Sequence, residues 1–480
     1  MNESSARSRL ALLAFAQLII AIDFNIVYVA LPDIGRELGF STQSLQWVVS
    51  AYAVGFGGFL LLGGRAADRF GARRLFVFGL LLFGLACLAG GLAVTPAMLM
   101  AARAVQGLGA ALLTPAMLAL VYANFAEGPE RTRAMGVWGA AGSGGLAAGS
   151  LLGGVLTNYL GWEWVFFVLT PLALGAAALA PRVLPADPRR ADGGSSFDLP
   201  GAVTATAGSS LVVFGLANGP DAGWGSARSA GALVAGAALL GVFVLIQSRT
   251  RDPLVPPRMV RNRSLATAVL VILIFQSALL GTYYVLTTYL QGVLGYSALE
   301  AGLAFLPLTL VSMFASLRLT GLAISRWGVR VALFAGMGVN AVGSAVLLLG
   351  MSADGSFWAL VPGIVIWGIG GGTTFPAMFV AAGSGVAPDE QGVASGLATT
   401  SQQIGGAVGL AILLAIANAG LNHHAGTPGP TATQVVAGLH TALWVAAAAQ
   451  LVGALVALTI KGRPVAGVPA AATDTLDVPA

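Results

Sequence analysis

The sequence predicts an all-α integral membrane protein: fourteen transmembrane helices, arranged as two six-helix bundles plus two inserted helices. Three observations carry that expectation. Only 9% of the 480 residues are charged and 57% are apolar, with a mean hydropathy of +0.84, whereas a soluble domain carries about 25% charge. Fourteen stretches are long and apolar enough to cross a hydrocarbon core, which takes about 20 residues. Two sequence segments recur between the first and last parts of the chain. The same composition argues against a soluble enzyme, a disordered chain and a nucleic-acid binder. The net charge of +5 comes from arginines at span edges.

In chain order the spans are 10–31, 45–63, 74–93, 97–122, 135–157, 164–181, 199–217, 228–247, 264–290, 299–320, 331–350, 356–382, 392–418 and 436–460. The first follows Arg7 and Arg9, as a signal peptide would. It is too long for one, contains Asp23, and is followed by more spans, so it reads as an uncleaved first helix. The 66 glycines suit close helix contacts. The single cysteine, Cys87, rules out an internal disulfide.

Basic residues set the expected orientation. With the N-terminus in the cytoplasm, alternate loops hold Arg7 and Arg9, Arg65 to Arg74, Arg131 and Arg133, Arg182 to Arg190, Arg249 to Arg263, Arg318 to Arg330, and Lys461 with Arg463. Only Arg36 and Arg228 fall outside and Arg103 within a span. That is the positive-inside pattern. Both termini are therefore expected in the cytoplasm.

Internal repeats divide the spans. Gly64-Arg-Ala-Ala-Asp-Arg-Phe-Gly-Ala-Arg73 after the second span pairs with Gly321-Leu-Ala-Ile-Ser-Arg-Trp-Gly-Val-Arg330 after the tenth. Gly107-x-Gly109 with Pro115-Ala116-Met117 pairs with Gly368-x-Gly370 and Pro376-Ala377-Met378. The spans within 199–247 have no such partner. The expected units are an N-terminal six-helix bundle (1–181), a Pro/Asp/Gly/Ser-rich cytoplasmic linker (182–198), two inserted helices and a cytoplasmic loop (199–263), a C-terminal six-helix bundle (264–460) and a cytoplasmic tail (461–480). Two similar bundles suggest a transporter that rocks about a site between them.

Asp23 is the one acid well inside a span, and an intramembrane carboxylate is functional by default. The alternative is an Asp that only bonds neighbouring backbone. Arg103 is the one base deep in a span. At 1.5 Å per residue, Asp23 lies roughly 12 Å and Arg103 roughly 9 Å below the outer surface. Similar depth in one bundle permits a proton switch, because burial and a neighbouring guanidinium act on a carboxylate in opposite senses; a fixed ion pair is the alternative.

Asp68 could accept hydrogen bonds from a helix N-terminus or an arginine in one transport state, or simply be solvated. The repeat carries Ser325 there, so a charged latch would be one-sided. Gly145, Gly149 and Gly153 recur every four residues and form a bare ridge for helix contact. Polar and aromatic residues inside spans are candidates to line a cavity: Asn25, Tyr28, Tyr52, Trp138, Gln276, Tyr283, Tyr284, Asn340, Trp367, Gln402 and Gln403. Trp47, Trp162 and Trp164 read as interface-belt residues. His423 and His424 share an outer loop without further ligands, so no metal site is expected. No P-loop, no H-E-x-x-H and no G-x-S-x-G occurs, so neither ATP-driven pumping by this chain alone nor those hydrolytic sites are expected.

These residues resemble a known family. G-x-x-x-D-R-x-G-x-R-R at Gly64–Arg74, R-x-x-Q-G-x-G at Arg103–Gly109 and the fifth-span glycines resemble the signatures of the major facilitator superfamily. I-D-x-x-I-V-x-V-A-L-P in the first span, with fourteen spans, resembles its drug:proton antiporter branch, which exports drugs and antibiotics. The resemblance implies the major facilitator fold. It implies proton coupling by Asp23 and Arg103, and a cytoplasmic gate of Gly64, Asp68, Arg69, Gly71 and Arg73. It also implies an antiporter helix with Gly145, Gly149, Gly153 and Gly154. Two departures stand out: Ser150 follows Gly149 where the family has proline, and Asn25 and Tyr28 replace Thr and Asn.

The leading expectation is proton-driven export of an amphipathic drug or antibiotic by a monomer that meets substrate, protons and membrane lipid. It needs no cofactor, has no catalytic or metal residue and binds no nucleic acid. A metabolite uniporter or symporter is the alternative, separable by flux direction in proteoliposomes under a pH gradient. A transport-inactive sensor or scaffold is another. With no second acid inside a span, neutral or singly charged substrates are favoured over dications.

Overall fold

Backbone in hydrocarbon must satisfy its own hydrogen bonds, and each long apolar run of this chain is helical. The computed structural model describes residues 3–40, 42–45, 47–187, 198–223, 225–250, 253, 255, 256, 259, 262–419 and 431–460. The tail 461–480 with Lys461 and Arg463, residues 188–197 of the expected linker, and His423 and His424 lie outside the described residues.

The long helices are α1 (Glu3–Glu37), α2 (Trp47–Phe70), α3 (Ala72–Gly91), α4 (Pro96–Asn124), α5 (Pro129–Leu160), α6 (Trp164–Val183), α7 (Leu199–Ala222) and α8 (Ala227–Arg249). They continue with α9 (Arg263–Thr288), α10 (Leu306–Phe314), α11 (Thr320–Gly350), α12 (Phe357–Gly383), α13 (Gln391–Asn418) and α14 (Ala432–Ala457). Their starts follow local chemistry. The Thr95 hydroxyl accepts from Met98 N at 3.3 Å ahead of Pro96. Asn262 caps α9, and Thr431 with Gln434 forms a capping box at α14. Each satisfies an amide the helix leaves unpaired.

Twelve segments among the described residues are long and apolar enough to cross a membrane, where the sequence predicts fourteen. Two places account for the difference. Glu300–Gly350 counts as one segment of 51 residues, about 77 Å at 1.5 Å per residue against a core of about 30 Å. Its backbone leaves helical geometry at Gly328, with φ 78° and ψ 164°. In α7 the apolar helix is the shorter Pro200–Leu216.

Packing follows the glycines. α1 lies along α5, and α2 and α3 lie along α4. α9 pairs with α13, and α11 with α12 and α14. α7 pairs with α8 and also touches α2 and α13, so it flanks a seam between early and late helices. A Cβ on Gly145, Gly149 or Gly153 would sit 2.8, 2.5 and 2.8 Å from the carbonyl oxygens of Leu18, Ile22 and Ile26. Only glycine lets α5 approach the backbone of α1 this closely. Gly154, one residue round the helix, is partly exposed.

Candidate functional site

The contact of α5 with α1 fixes the stretch of α1 that carries Asp23. Asp23 is fully buried and Arg103 is 2% exposed. Arg103 Nη1 donates to Asp23 Oδ1 at 3.1 Å and Oδ2 at 3.2 Å, so two residues separated by 80 positions and matched only in depth are in contact. Arg103 Nε donates to Val48 O at 3.0 Å, and its guanidinium carbon lies 4.4 Å above the Tyr52 ring centroid. Gln106 completes the network. Its amide donates to Asp23 Oδ1 at 2.7 Å and lies 3.0 Å from Cys87 Sγ, and its Oε1 accepts from Arg103 Nη1 at 2.7 Å. Sequence reasoning missed Gln106 and Cys87. The signal for Gln106 was its position three residues after Arg103, one turn along the same helix face.

Arg103 borders a cavity of about 420 Å³ enclosed by α1, α2, α4, α5, α7, α9, α10, α12 and α13. Tyr28, Tyr52, Trp138, Gln276, Tyr283, Trp367, Gln402 and Gln403 line it, with Gln17, Ser143 and Ser312, which sequence reasoning did not single out. Three expected residues lie elsewhere. Asn25 donates to Leu146 O at 2.9 Å and to Ser150 Oγ at 3.0 Å, tying α1 to α5. Asn340 is buried and donates to Trp367 O at 2.8 Å. Tyr284 packs against the core formed by the late helices. The amide N–H groups of Asn25 and Asn340 find acceptors on neighbouring helices, which holds both side chains between helices. Trp162 is likewise no belt residue: it is buried and donates to Glu37 at 3.0 Å.

One end of the cavity is closed by contacts between early and late helices. Trp138 of α5 stacks on Phe375 of α12 at 5.6 Å and meets Phe379 edge-on at 5.1 Å. Tyr122 donates its hydroxyl to Phe379 O at 2.8 Å. At the same end Asp68 accepts from Gly392 N and Val393 N, both at 2.8 Å. These are free amides at the start of α13, where a carboxylate gains both hydrogen bonds and the favourable end of the helix dipole. A Cβ on Gly64 would strike Gly392 O. Gly71 turns the chain with φ 100°. The amides of Arg73 and Arg74 then donate to Asp187 at 2.9 and 3.1 Å, and the Arg73 guanidinium reaches Pro181 O at 2.8 Å. Arg69 follows Asp68 in the last turn of α2.

The arrangement joins a buried acid–base pair, a cavity lined by early and late helices, and a carboxylate–amide contact between α2 and α13. Residues 13–410 match the profile of the Major Facilitator Superfamily. The chain is 40% identical over 456 residues to the puromycin resistance protein Pur8 of Streptomyces alboniger, covering 93% of this chain and 90% of that protein. It is 40% identical over 419 residues to the cephamycin export protein CmcT of Amycolatopsis lactamdurans, covering 87% and 86%. Among solved structures, the human organic anion transporter MFSD10 has the same fold, with a TM-score of 0.71 at 16% identity over 95% of this chain and 100% of that one. The chain belongs to the Major Facilitator Superfamily, and it is a membrane transporter rather than an enzyme.

Proposed function

We propose that this protein is a proton-coupled antiporter that exports amphipathic drugs or antibiotics across the bacterial cytoplasmic membrane by alternating access. Its relatives are named for antibiotic resistance and export. The observation that carries the coupling is the buried Asp23–Arg103–Gln106 network at the edge of the cavity. Separating a buried ion pair leaves a charge without a partner, which is costly. Protonation of Asp23 removes that cost and frees Arg103 to turn toward the cavity. Loss of the proton restores the pair. A cycle in which the pair opens and closes as the halves rock links proton movement to access.

In this reading the closed end is cytoplasmic, Asp68 on the start of α13 is its latch, and both termini lie inside. The membrane is crossed fourteen times. Counting Glu300–Gly350 as two crossings is supported by its length and the break at Gly328. Counting α7 as one is supported by its 24 residues. Six crossings on either side of the α7–α8 pair make the two bundles, with 182–198 as linker. The test begins with a drug-susceptibility panel in a pump-deficient host to find a substrate. Substrate-triggered proton release is then measured in proteoliposomes. Wild type should release protons and export uphill. Asp23→Asn, nearly isosteric, should keep expression and some binding but lose both. An unchanged proton signal in Asp23→Asn would remove Asp23 from the mechanism.

A further inference from the structure

The cavity contains a set of unmet hydrogen-bonding groups. Trp138 Nε1, Trp367 Nε1, Tyr52 Oη and Gln276 Oε1 are buried and have no hydrogen-bond partner among the described residues. All four residues line the cavity. A buried polar group without a partner is costly, and cargo that enters the cavity could complete these four. Indole N–H groups only donate, and a tyrosine hydroxyl can donate. Gln276 Oε1 only accepts, so three of the four unmet groups can donate and one asks for a donor.

Charge points the same way. Among the described residues no carboxylate lines the cavity. Asp23 has no exposure and is engaged by Arg103 and Gln106, and Arg103 is what the cavity meets. An entering cation would face a guanidinium and no acid. The aromatic rings offer it limited compensation. Tyr52 already carries Arg103 over its face, Trp138 is stacked on Phe375, and Tyr283 is stacked on Phe305 at 5.2 Å.

We propose that the cavity selects uncharged, flat aromatic compounds bearing two or more hydrogen-bond acceptors, held by the indole N–H groups of Trp138 and Trp367, and that it discriminates against cations. This rests on the export reading only in taking the cavity as the cargo site. Aromatic walls accept a flat ring system, and two N–H donors from α5 and α12 ask for two acceptors on it. Because α5 and α12 come from early and late parts of the chain, a compound bonded to both donors would bridge them.

A matched series of three-ring probes tests the idea on the purified full-length protein in detergent. Anthraquinone is uncharged with two carbonyl acceptors, anthracene is uncharged with none, and 9-(trimethylammoniomethyl)anthracene is a monocation. Anthraquinone should bind at least tenfold more tightly than either of the others. Trp138→Phe and Trp367→Phe keep a ring but delete one donor each. Each should weaken anthraquinone by roughly five- to tenfold and leave anthracene within twofold. Thermal unfolding of each variant accompanies the titration, and anthracene reports an intact cavity.

Equal binding of anthracene and anthraquinone would overturn the acceptor requirement. Cation binding as tight as anthraquinone would overturn the charge selection, and absence of anthraquinone binding would overturn both. Uphill export is assayed separately with the same probes. If binding follows this order without export, the antiport reading fails and the selectivity stands. If cations are exported as well as anthraquinone, the selectivity fails and export stands.

Discussion

Gly145 and Gly149 of α5 meet the carbonyls of Leu18 and Ile22 in α1; Gly405 and Gly409 of α13 meet those of Leu273 and Ser277 in α9. The two contacts share a register. In the first, the next residue on the partner helix is Asp23; in the second it is Ala278, which is buried among apolar neighbours. Arg103 and Gln106 stand four and one residues before Gly107; Ile364 and Trp367 stand at those places before Gly368. The loops behave alike. Gly71 and Gly328 both turn the chain at positive φ, 100° and 78°. Asp68 reaches across to α13, whereas Ser325 bonds only Leu322 O in its own turn. Gly64 is pressed against Gly392, and Gly321 has nothing within 4 Å. The repeat kept the packing and the turn, while the ionisable chemistry stands in one copy. Contacts between glycine and backbone make no demand on the side chain beside them, so the partner position was free to hold an acid in one half and an alanine in the other.

The shared part of this comparison is the most severe to disturb. Gly149→Leu and Gly409→Leu should each reduce export by more than tenfold and lower the thermal unfolding midpoint, because overpacking a close contact costs typically 1–3 kcal/mol. A tolerated Gly409→Leu beside a failed Gly149→Leu would break the equivalence of the two contacts. The unshared part comes next. Asp68→Asn cannot accept two amide bonds through charged oxygens, and hydrogen bonds to charged groups contribute about 1.5–3 kcal/mol each. Export should fall roughly tenfold or more with the protein still in the membrane, while Ser325→Ala stays within twofold. Wild-type flux from Asp68→Asn would remove the latch. The same contrast should separate Gly64→Ala, which obstructs closure against Gly392, from Gly321→Ala, which meets open space; equal rates would break it. The smallest effect is expected from Ser150→Pro. Proline removes the hydroxyl that Asn25 donates to, but Asn25 keeps Leu146 O, so export should drop only two- to fivefold by the same assay. The Asn25→Ala variant should then make Ser150→Pro nearly silent.

Most of the spans were legible because run length identifies them, though run length did not settle Glu300–Gly350 or α7, and the depth of Asp23 and Arg103 could be counted from span edges. What depth does not give is rotation about the helix axis. The helix α1 has no strong apolar stripe, so nothing in it says which way Asn25 faces, and Asn25 turned to α5 instead of the cavity. In the sequence Gln106 figures only within the R-x-x-Q-G-x-G signature, with no role of its own, because an uncharged amide carries no cost signal comparable to a buried acid. Asp187 was unreadable for another reason: its role at the start of α3 depends on where the chain after α6 returns, which no local pattern records. The π-helical turns at Tyr289–Val293 and Ala315–Leu319 leave no Gly–Pro signature either.

What Asp68 meets on α13 is main chain. Its two donors are the amides of residues 392 and 393, and nearly every amino acid supplies an amide. The α13 side of this contact asks for no particular side chain: what constrains Val393, 2% exposed in the apolar core, is its packing and not what Asp68 recognises. Proline, which has no N–H, is the one replacement that deletes a donor there, and any side chain at Gly392 crowds the Asp68 carboxylate itself. Almost all the side-chain information in this contact resides in Asp68, so a search for compensating changes should find few partners for it on α13, and replacements at Val393 should keep to apolar residues of similar size.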